Sequence, residues 1–251
     1  MNYEISEDYK TFQKELDAIV INFASKGRPF GNQDRNTLKL FELNGETVNV
    51  KSFRVPNIVN QIAYRFFRKS KAQRSFEYAH RIINLGIGTP KPIAYYEFKT
   101  PFAFKKSYYI SEQLDCDCTY RELKNPEYPD REAILRAFTR FTYKLHECQV
   151  YFLDHSPGNT LIKKTGDTYA FFLVDLNRME FKALDFKTRI KNFAKLATED
   201  DMIKIMSDEY AKCISRDFKE VYALMSGYTK EFQERYQRRR RLKKKIKFWK
   251  K

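Results

Sequence analysis

Residues 151–178 read YFLDHSPGNTLIKKTGDTYAFFLVDLNR, and the rest of the chain can be interpreted around them. The pattern predicts two short strands, 160–163 and 168–175, joined by a turn at 164–167 whose Gly-Asp pair suits a tight hairpin. The second strand is a continuous apolar run that ends at Asp175. A carboxylate at the end of a buried strand is costly unless something binds it, so Asp175 is a candidate functional residue.

Two further polar side chains precede the hairpin. Asp154 and Asn159 lie in a loop that Pro157 stiffens and Gly158 frees. We expect Asp154, Asn159 and Asp175 to converge where the hairpin begins and ends. This set suits phosphoryl transfer, in which one carboxylate orients and deprotonates a hydroxyl while an amide and a second carboxylate hold Mg²⁺ on nucleotide phosphates. The alternative interpretation is an ordinary hairpin preceded by an Asx-type turn.

The loop also carries a resemblance to a known family. Its sequence DHSPGN, from Asp154 to Asn159, is similar to the Pro-Gly-Asn catalytic loop of small-molecule kinases with a protein-kinase-like fold. Together with the VDLNRM stretch around Asp175, it resembles the lipopolysaccharide kinase family, whose members phosphorylate Kdo or heptose in the inner core. The resemblance implies ATP and Mg²⁺ as cofactors, Asp154 as the catalytic residue, and Asn159 and Asp175 as metal ligands.

Composition and length set the broad class. The chain has 251 residues, of which 42% are hydrophobic and 16% aromatic, so we expect a folded protein with one core or with two lobes that share a cleft. It contains no apolar run of about 18 residues, and its first residues are acidic and polar, so we expect neither a membrane span nor a secretory signal. The four cysteines lack zinc-site spacing and are expected to be reduced thiols.

A hairpin near the N-terminus supplies a candidate phosphate-binding lysine. Strands are predicted at 37–42 and 47–53, because Asn44-Gly45 suits a two-residue turn. The second strand contains Val-Asn-Val-Lys, which is similar to the Val-Ala-Ile-Lys strand of kinases and implies that Lys51 contacts the α- and β-phosphates. A lysine that points to solvent is the alternative.

The stretch 57–85 predicts a helical region that follows this strand. Its two apolar stripes consist of Ile58, Ile62 and Phe66, and of Phe76, Ala79 and Ile83, and a basic run separates them. Kinase-like sites align their lysine with a carboxylate from the following helix. Glu77 is the only acidic residue between Glu46 and Glu97, so the resemblance implies that Glu77 braces Lys51.

Two other nucleotide-binding features are assigned by order along the chain. After the predicted strands 93–98 and 108–114, the resemblance places an adenine-binding hinge at Glu112, Gln113 and Leu114. The turn-prone stretch 25–32 stands where a glycine-rich loop would cover the phosphates, although Gly27 and Gly31 do not match that motif's spacing.

The remaining elements are predicted helices. Residues 131–149 carry the clearest helical pattern, and we interpret His146 beside its apolar stripe as structural. Residues 186–236 are again helical in pattern. The chain departs from many kinases at three places: Phe152 stands where they have His, His155 follows the catalytic Asp where protein kinases often have Arg, and Asp-Leu-Asn at 175–177 replaces Asp-Phe-Gly.

The C-terminal tail, residues 238–251, accounts for most of the net charge of +16. It reads RRRRLKKKIKFWKK and contains no acid. On a helix Leu242, Ile246 and Trp249 would share one face, which suits an anionic membrane surface. Nucleic acid is the competing partner, because RNA uses the same charges with aromatic stacking.

These observations predict an α+β protein with a bilobal protein-kinase-like fold: a sheet-rich N-lobe at 1–112, a helical C-lobe at 113–237 and the basic tail. The resemblance implies an ATP-dependent kinase that phosphorylates a Kdo or heptose hydroxyl of the lipopolysaccharide inner core. We expect it to be cytoplasmic and peripheral on the inner face of the bacterial inner membrane. The alternatives are a kinase acting on a protein or small metabolite, and a non-catalytic scaffold docked on membrane or RNA.

Overall fold

The computed structural model describes residues 1–31, 36–197 and 199–248, with side chains up to Lys243. The chain forms two compact units. The N-terminal unit contains residues 1–115 and 172–178, and the C-terminal unit contains residues 116–171 and those from 179 onward. The chain therefore contributes to the N-terminal unit twice, and the second, short contribution carries Asp175.

A six-stranded antiparallel sheet forms the centre of the N-terminal unit, in the order β1-β5-β6-β4-β3-β2. Its strands are β1 (Asn2–Ile5), β2 (Arg28–Pro29), β3 (Thr37–Leu43), β4 (Glu46–Phe53), β5 (Pro92–Lys99) and β6 (Phe104–Glu112). Asn44 and Gly45 join β3 to β4 with φ angles of 51° and 79°. The predicted two-residue turn is therefore confirmed, since such turns need positive φ at both central positions.

In the described part of this unit the sheet is accompanied by a 3₁₀ helix at Glu7–Phe12 and by α1 (Gln13–Ile21), α2 (Ile58–Phe66) and α3 (Lys71–Asn84). Helix α1 buries Leu16 and Ile19 in one cluster with Val48 and Val50 of β4. Helix α3 packs Phe76 against Phe53 and Tyr95, in a second cluster. Because side chains alternate along a strand, Lys51 lies on the same face of β4 as Phe53, opposite to the valines.

The helical region predicted at 57–85 is two helices, not one. Asn57 caps α2 by accepting a hydrogen bond from the Asn60 amide, and Ser70 caps α3 by accepting one from the Gln73 amide. The break between the helices falls in the basic run that separates the two apolar stripes. The stripes have different environments: Phe76 and Ala79 are buried, whereas Ile58, Ile62 and Phe66 are exposed.

The C-terminal unit is mainly helical. Its strands are β7 (Cys118–Thr119), β8 (Val150–Phe152), β9 (Thr160–Thr165), β11 (Met179–Phe181) and the first part of β10 (Thr168–Leu173), whose last two residues belong to the N-terminal unit. Its helices are α4 (Arg131–Glu147), α5 (Phe186–Lys191), α6 (Asp200–Ile214) and α7 (Phe218–Phe248), with short 3₁₀ helices at Glu122–Lys124 and Asn192–Lys195. Phe138 of α4 lies in one large buried cluster with Tyr120, Phe193 and Tyr210. The helical pattern predicted at 186–236 is thus interrupted, and one interruption is Ser215, which has a left-handed φ of 52°.

Two details of the hairpin and the tail differ from expectation. Strand β10 ends at Leu173, two residues before the predicted end, because Asp175 has a φ of 61° that a strand does not accommodate. The basic tail continues α7 as far as Phe248 instead of starting a separate segment. Residues 234–243 of this helix are exposed, whereas the side chains of Ile246 and Trp249 lie outside the described residues.

All four cysteines are free, as expected for reduced thiols. Among the described residues, no helix is both long enough and apolar enough to span a membrane.

Candidate active site

Lys51 and Asp175 meet within the N-terminal unit. Lys51 Nζ lies 2.8 Å from Asp175 Oδ1, and the exposed fractions of the two side chains are 14% and 30%. Lys51 also lies over the Phe53 ring, 5.4 Å from its centroid. A half-buried ion pair between residues so distant in sequence fixes the lysine ammonium at a carboxylate that can also take part in metal binding.

The segment 172–178 is held in the N-terminal unit by backbone contacts. The amide of Leu173 donates to the Gly88 carbonyl at 2.9 Å, and the Thr89 hydroxyl donates to the Leu173 carbonyl at 2.8 Å. Beyond the strand, the left-handed backbone of Asp175 turns the chain, and the Asn177 side-chain amide donates to Asp175 Oδ1 at 2.6 Å. Asn177, which replaces glycine in the resembled motif, therefore orients the carboxylate.

Further cations surround this carboxylate. Lys71, the first residue of α3, is half-buried and interacts electrostatically with Arg178, Asp175 and Lys51. Burial, followed by repulsion from Arg178, lowers the pKa of Lys71 below its usual value. Lys51 and Lys71 therefore both interact with the Asp175 carboxylate, and Arg178 adds positive charge next to Lys71. Sequence analysis did not single out Lys71 or Arg178, because nothing in their local pattern distinguishes them from solvated cations.

Glu77 has a different partner from the one implied by the resemblance. Both of its carboxylate oxygens accept hydrogen bonds from Lys69 at 2.8 Å, and one also accepts from Gln73 at 3.0 Å. Lys69 directly precedes the N-cap of α3, so it reaches the second turn of that helix. In this structure Lys51 is braced by Asp175 and not by Glu77.

The end of β6 lines a cleft of about 530 Å³ in the N-terminal unit. Its walls are Arg28, Phe30, Leu40, Glu46, Thr47, Glu112, Gln113 and Asp115. The amide of Glu112 donates to the Lys91 carbonyl and that of Gln113 to the Thr47 carbonyl, both at 3.0 Å. The Leu114 carbonyl accepts from the Gln113 side chain at 3.3 Å. Several peptide groups expected at the hinge therefore already have protein partners.

In the C-terminal unit, Asp154 and Asn159 occupy the two ends of one loop after β8. The Asn159 side-chain amide donates to the Asp154 backbone carbonyl at 2.8 Å, and the Asn159 backbone amide donates to the Ser156 carbonyl at 3.0 Å. Because the Asn159 nitrogen is bound inside the loop, its side-chain oxygen points away from that carbonyl. A Cβ at Gly158 would approach Arg121 Nη2 to 2.8 Å, so the guanidinium lies directly against the loop.

The 3₁₀ helix Asn192–Lys195 supports this loop. The Asn192 side chain donates to the Phe152 carbonyl at 2.9 Å. Lys195 Nζ donates to the Leu153 carbonyl at 2.6 Å and lies 3.3 Å from Asp154 Oδ1. His146, as expected, is structural: it is buried and hydrogen-bonded to both Tyr210 and Asn192. The sequence gives no local signal for Lys195, which lies within a helical apolar pattern.

His155 is fully buried beneath Asp154. Its ring stacks on Phe138 at 5.3 Å between centroids, and its Nε2 is 3.1 Å from the Thr142 hydroxyl. Burial lowers its pKa to about 3, so the ring is neutral. His155 therefore attaches the loop to the core of the C-terminal unit as a neutral side chain.

Comparisons with known proteins identify the family of this chain. The sequence profile of the lipopolysaccharide kinase (Kdo/WaaP) family matches residues 25–228. The chain belongs to the lipopolysaccharide kinase family. A solved structure of WaaP in complex with acyl carrier protein is similar to this chain, with a TM-score of 0.64 and 17% identity, over 95% of this chain and 99% of that one. No curated protein sequence matches significantly.

Membership of the Kdo/WaaP family establishes the class of reaction. The chain is an ATP-dependent phosphotransferase that acts on a sugar hydroxyl in lipopolysaccharide biosynthesis. The predicted α+β kinase-like fold, with a sheet-rich N-terminal part and a helical C-terminal part, is confirmed.

Each unit of this lipopolysaccharide kinase offers an oxygen donor that fits a hard cation. Asp175 in the N-terminal unit supplies a carboxylate and Asn159 in the C-terminal unit supplies an amide oxygen, and both side chains are partly exposed. Such oxygens are the ligands that Mg²⁺ prefers. Within the part of the chain that the structure describes, no group of three or more His, Cys, Asp and Glu side chains could hold a metal.

Proposed function

We propose that this lipopolysaccharide kinase transfers the γ-phosphate of ATP to a hydroxyl of a Kdo or heptose residue in the inner core. The proposal rests on the family match over residues 25–228, together with the Lys51–Asp175 ion pair of 2.8 Å. The reaction breaks the bond between the β–γ bridging oxygen and the γ-phosphorus, and forms a bond from the sugar oxygen to that phosphorus. The hydroxyl proton leaves to a base, and ADP departs.

Asp154 is the proposed base. Its position on a loop held by Asn159, Asn192 and Lys195 supports this role, since a base must be fixed within hydrogen-bond reach of the hydroxyl. Lys51 is proposed to contact phosphate oxygens and to balance their charge. A fixed cation contributes most when solvent is excluded, and the low exposure of Lys51 supports that assignment.

We propose Asn159 and Asp175 as the ligands of Mg²⁺. When bound, the metal neutralises charge on the β- and γ-phosphates. Asn177 donates to one Asp175 oxygen and so keeps the carboxylate oriented. Lys51 contacts Asp175 Oδ1 in this structure, and it would exchange this contact for one to a phosphate oxygen when ATP binds.

The cleft that Glu112 lines is the proposed adenine site. The amides of Glu112 and Gln113 are bound within the protein, so the contact to the base falls to the peptide groups around Leu114. Phe30 and Leu40 supply apolar surface for a planar base. Glu77 is bound by Lys69. It could brace Lys51 only if Lys51 left Asp175 and replaced Lys69 at the Glu77 carboxylate.

We further propose that the enzyme is cytoplasmic and peripheral on the inner membrane, with the basic end of α7 on an anionic membrane surface. Residues 238–241 and 243 are five exposed cations on the last described turns of that helix. Each Lys or Arg near an anionic membrane contributes about 1 kcal/mol to binding. Nucleic acid is the less favoured partner, since the acceptor of this family is part of a membrane lipid.

The first test is ATP binding by calorimetry, with and without Mg²⁺, on the wild type and on Asp175→Asn. Metal-dependent binding that weakens at least about tenfold in the variant is expected, because the amide has lost the charge that attracts the cation. Asp8→Asn, which removes an exposed ion pair with Lys91, is the control. Equal binding by all three proteins would contradict the assignment of Asp175.

The second test follows phosphate from labelled ATP to purified acceptors. Lipopolysaccharide core with terminal Kdo, core with heptose, a generic protein and free sugars are compared side by side. Transfer to a core acceptor, abolished in Asp154→Asn and retained in the surface variant Asp200→Asn, is expected. Transfer only to the protein or to a small metabolite would overturn the acceptor assignment and leave the kinase reaction intact.

A further inference from the structure

Helix α2 presents its apolar side to solvent. Ile58 and Val59 are each 72% exposed, and Ile62 and Phe66 are 47% and 55% exposed. At 100° per residue these four side chains occupy one arc of the helix, which is the arrangement of an amphipathic helix. A surface helix normally buries such an arc, and α2 has no buried residue.

Contacts opposite the apolar arc and at its edge fix the orientation of α2. Tyr64, opposite the arc, packs against Phe104 of β6 with ring centroids 5.7 Å apart, and Arg65, at its edge, donates from Nε to the Thr100 carbonyl at 3.0 Å. Asn57 caps the first turn. These contacts hold the helix on the sheet. The aliphatic side chains therefore face solvent because the packing of the N-terminal unit places them there.

Two phenylalanines extend the apolar surface. Phe67 follows the helix and is 83% exposed, and Phe102, in the turn between β5 and β6 beside Thr100, is 80% exposed. We call Ile58, Val59, Ile62, Phe66, Phe67 and Phe102 the α2 surface. Large apolar side chains this exposed, on one helix and in the turn to which Arg65 of that helix is hydrogen-bonded, indicate an interaction site.

The cations next to α2 in sequence are arginines. Between Glu46 and Glu77 the chain has seven Lys and Arg residues and no acid. Lys51 and Lys69 among them are paired with Asp175 and Glu77, whereas Arg54, Arg65 and Arg68 belong to α2 or flank it. Arg54 and Arg68 are exposed close to the two ends of α2, and the Arg65 guanidinium lies 5.1 Å from the centroid of the Phe66 ring. An occupant must therefore be both apolar and anionic.

We propose that the α2 surface inserts into the interface of an anionic membrane. Aliphatic and aromatic side chains on a helix ridge, flanked by Arg and Lys, are what an interfacial helix needs: the apolar side enters the acyl boundary while the cations contact lipid phosphates. The surface is a projecting ridge with loop-tip phenylalanines, and its six side chains line neither the cleft at Glu112 nor the cleft beside Phe53 and Phe104. A ridge suits a fluid bilayer better than a protein partner, which would need a groove to receive it.

The α2 surface lies in the N-terminal unit, whereas the basic end of α7 lies in the C-terminal unit. The protein would therefore contact the membrane through two separate surfaces. This second contact rests on the proposed function only in requiring that a membrane be the working environment. Vesicle binding without nucleotide or acceptor tests it separately from catalysis. A failure to detect kinase activity would leave the vesicle result unchanged, and a failure to bind vesicles would leave transfer to a soluble acceptor unchanged.

The first experiment is flotation of the full chain with vesicles of equimolar phosphatidylcholine and phosphatidylglycerol, against phosphatidylcholine alone. The double variant Val59→Ser with Phe66→Ser removes apolar volume from exposed positions, so folding is expected to survive. We expect its partition onto anionic vesicles to fall at least about tenfold, because each buried methylene contributes to interfacial binding. Ile21→Ser, at a 68% exposed position on α1, is the matched control and is expected to bind as the wild type does.

The second experiment separates the α2 surface from the tail. Trp249 is the only tryptophan, so Trp249→Phe combined with Phe67→Trp moves the fluorophore to the α2 surface. A blue shift with quenching by lipids brominated on their acyl chains is expected when vesicles are added. Unchanged partition of the double variant, or emission at position 67 that vesicles do not alter, would overturn the proposal. Binding of an acidic protein in place of vesicles would assign the surface to a protein partner.

Discussion

The two carboxylates assigned to the reaction are held in different ways. Asp175, in the N-terminal unit, is held by charge: Lys51 contacts it at 2.8 Å and the Asn177 amide at 2.6 Å. Asp154, in the C-terminal unit, has the Lys195 cation nearby at 3.3 Å, and stands on a loop attached to the core mainly by neutral buried groups, among them His155 and Asn192. A change of charge at the first carboxylate should therefore alter chemistry and spare the fold, whereas substitutions beneath the second should lower the free energy of unfolding.

The largest effect is expected from Lys51→Met. Methionine keeps much of the length and packing of the lysine stem but removes the cation, so turnover should fall about a thousandfold while the free energy of unfolding changes by no more than about 1 kcal/mol. Steady-state phosphate transfer and urea unfolding measure the two quantities. Lys91→Met removes an ion pair from an exposed position and serves as the control. If Lys51→Met instead lowers the free energy of unfolding strongly and keeps its specific activity, the Lys51–Asp175 pair serves the fold and not the chemistry.

On the C-terminal side, His155→Ala should lower the free energy of unfolding by about 3 kcal/mol. The substitution removes ring contacts with Phe138 and Phe152, together with the hydrogen bond to Thr142, and leaves a cavity. Urea unfolding measures the change. His80→Ala, which removes a half-buried histidine from α3, is the control and should cost about 1 kcal/mol. An equal effect at both positions would show that the buried ring has no special role under the loop.

Acidification should act on the same buried groups. Burial lowers the pKa of His146 to about 4 and that of His155 to about 3, against 6.5 for an exposed histidine. Below pH 6.5 the unfolded chain binds protons that the folded chain does not, so stability present above this pH is lost as the pH falls. The expected loss is about 2 kcal/mol for each histidine between pH of about 6.5 and about 5. Urea unfolding at several pH values measures it, and His155→Ala should show only part of this dependence.

Much of the fold was predictable because its signals are local. Asn44-Gly45 fixes one turn through positive φ angles, and the stripe along α4 fixes a helix. The loop from Asp154 to Asn159 was recognisable for the same reason, since six adjacent residues carry it. In contrast, the Asp175 turn depends on a left-handed residue that is not glycine, and no propensity predicts its place.

What could not be predicted depends on contacts between residues distant in sequence. The stripes of α2 and α3 have the same periodicity, yet the first is exposed whereas Phe76 and Ala79 of the second are buried and only Ile83, at its end, is exposed. Periodicity shows that a stripe exists and not what it faces. Glu77 was implied as the brace of Lys51 because it is the only nearby acid in sequence. Lys69 is closer to it along the helix, and Asp175 reaches Lys51 from the far hairpin.

The smallest expected effect concerns Lys195, which touches the loop of Asp154 without belonging to it. Its ammonium donates to the Leu153 carbonyl and lies 3.3 Å from Asp154 Oδ1, so it fixes the direction of the carboxylate as well as the backbone. In Lys195→Ala we expect kcat to fall about tenfold with KM for ATP unchanged, because a base that is no longer oriented fails in the transfer step. Lys195→Arg should recover part of this loss, since a guanidinium can reach both oxygens.

Lys191→Ala, one helical turn earlier over the Tyr228 ring, is the control. If Lys195→Ala lowers only the free energy of unfolding and leaves kcat of the folded protein unchanged, Lys195 stabilises the loop and does not orient Asp154. Asp154 would then depend on packing alone, in contrast to Asp175, which depends on its ion pair.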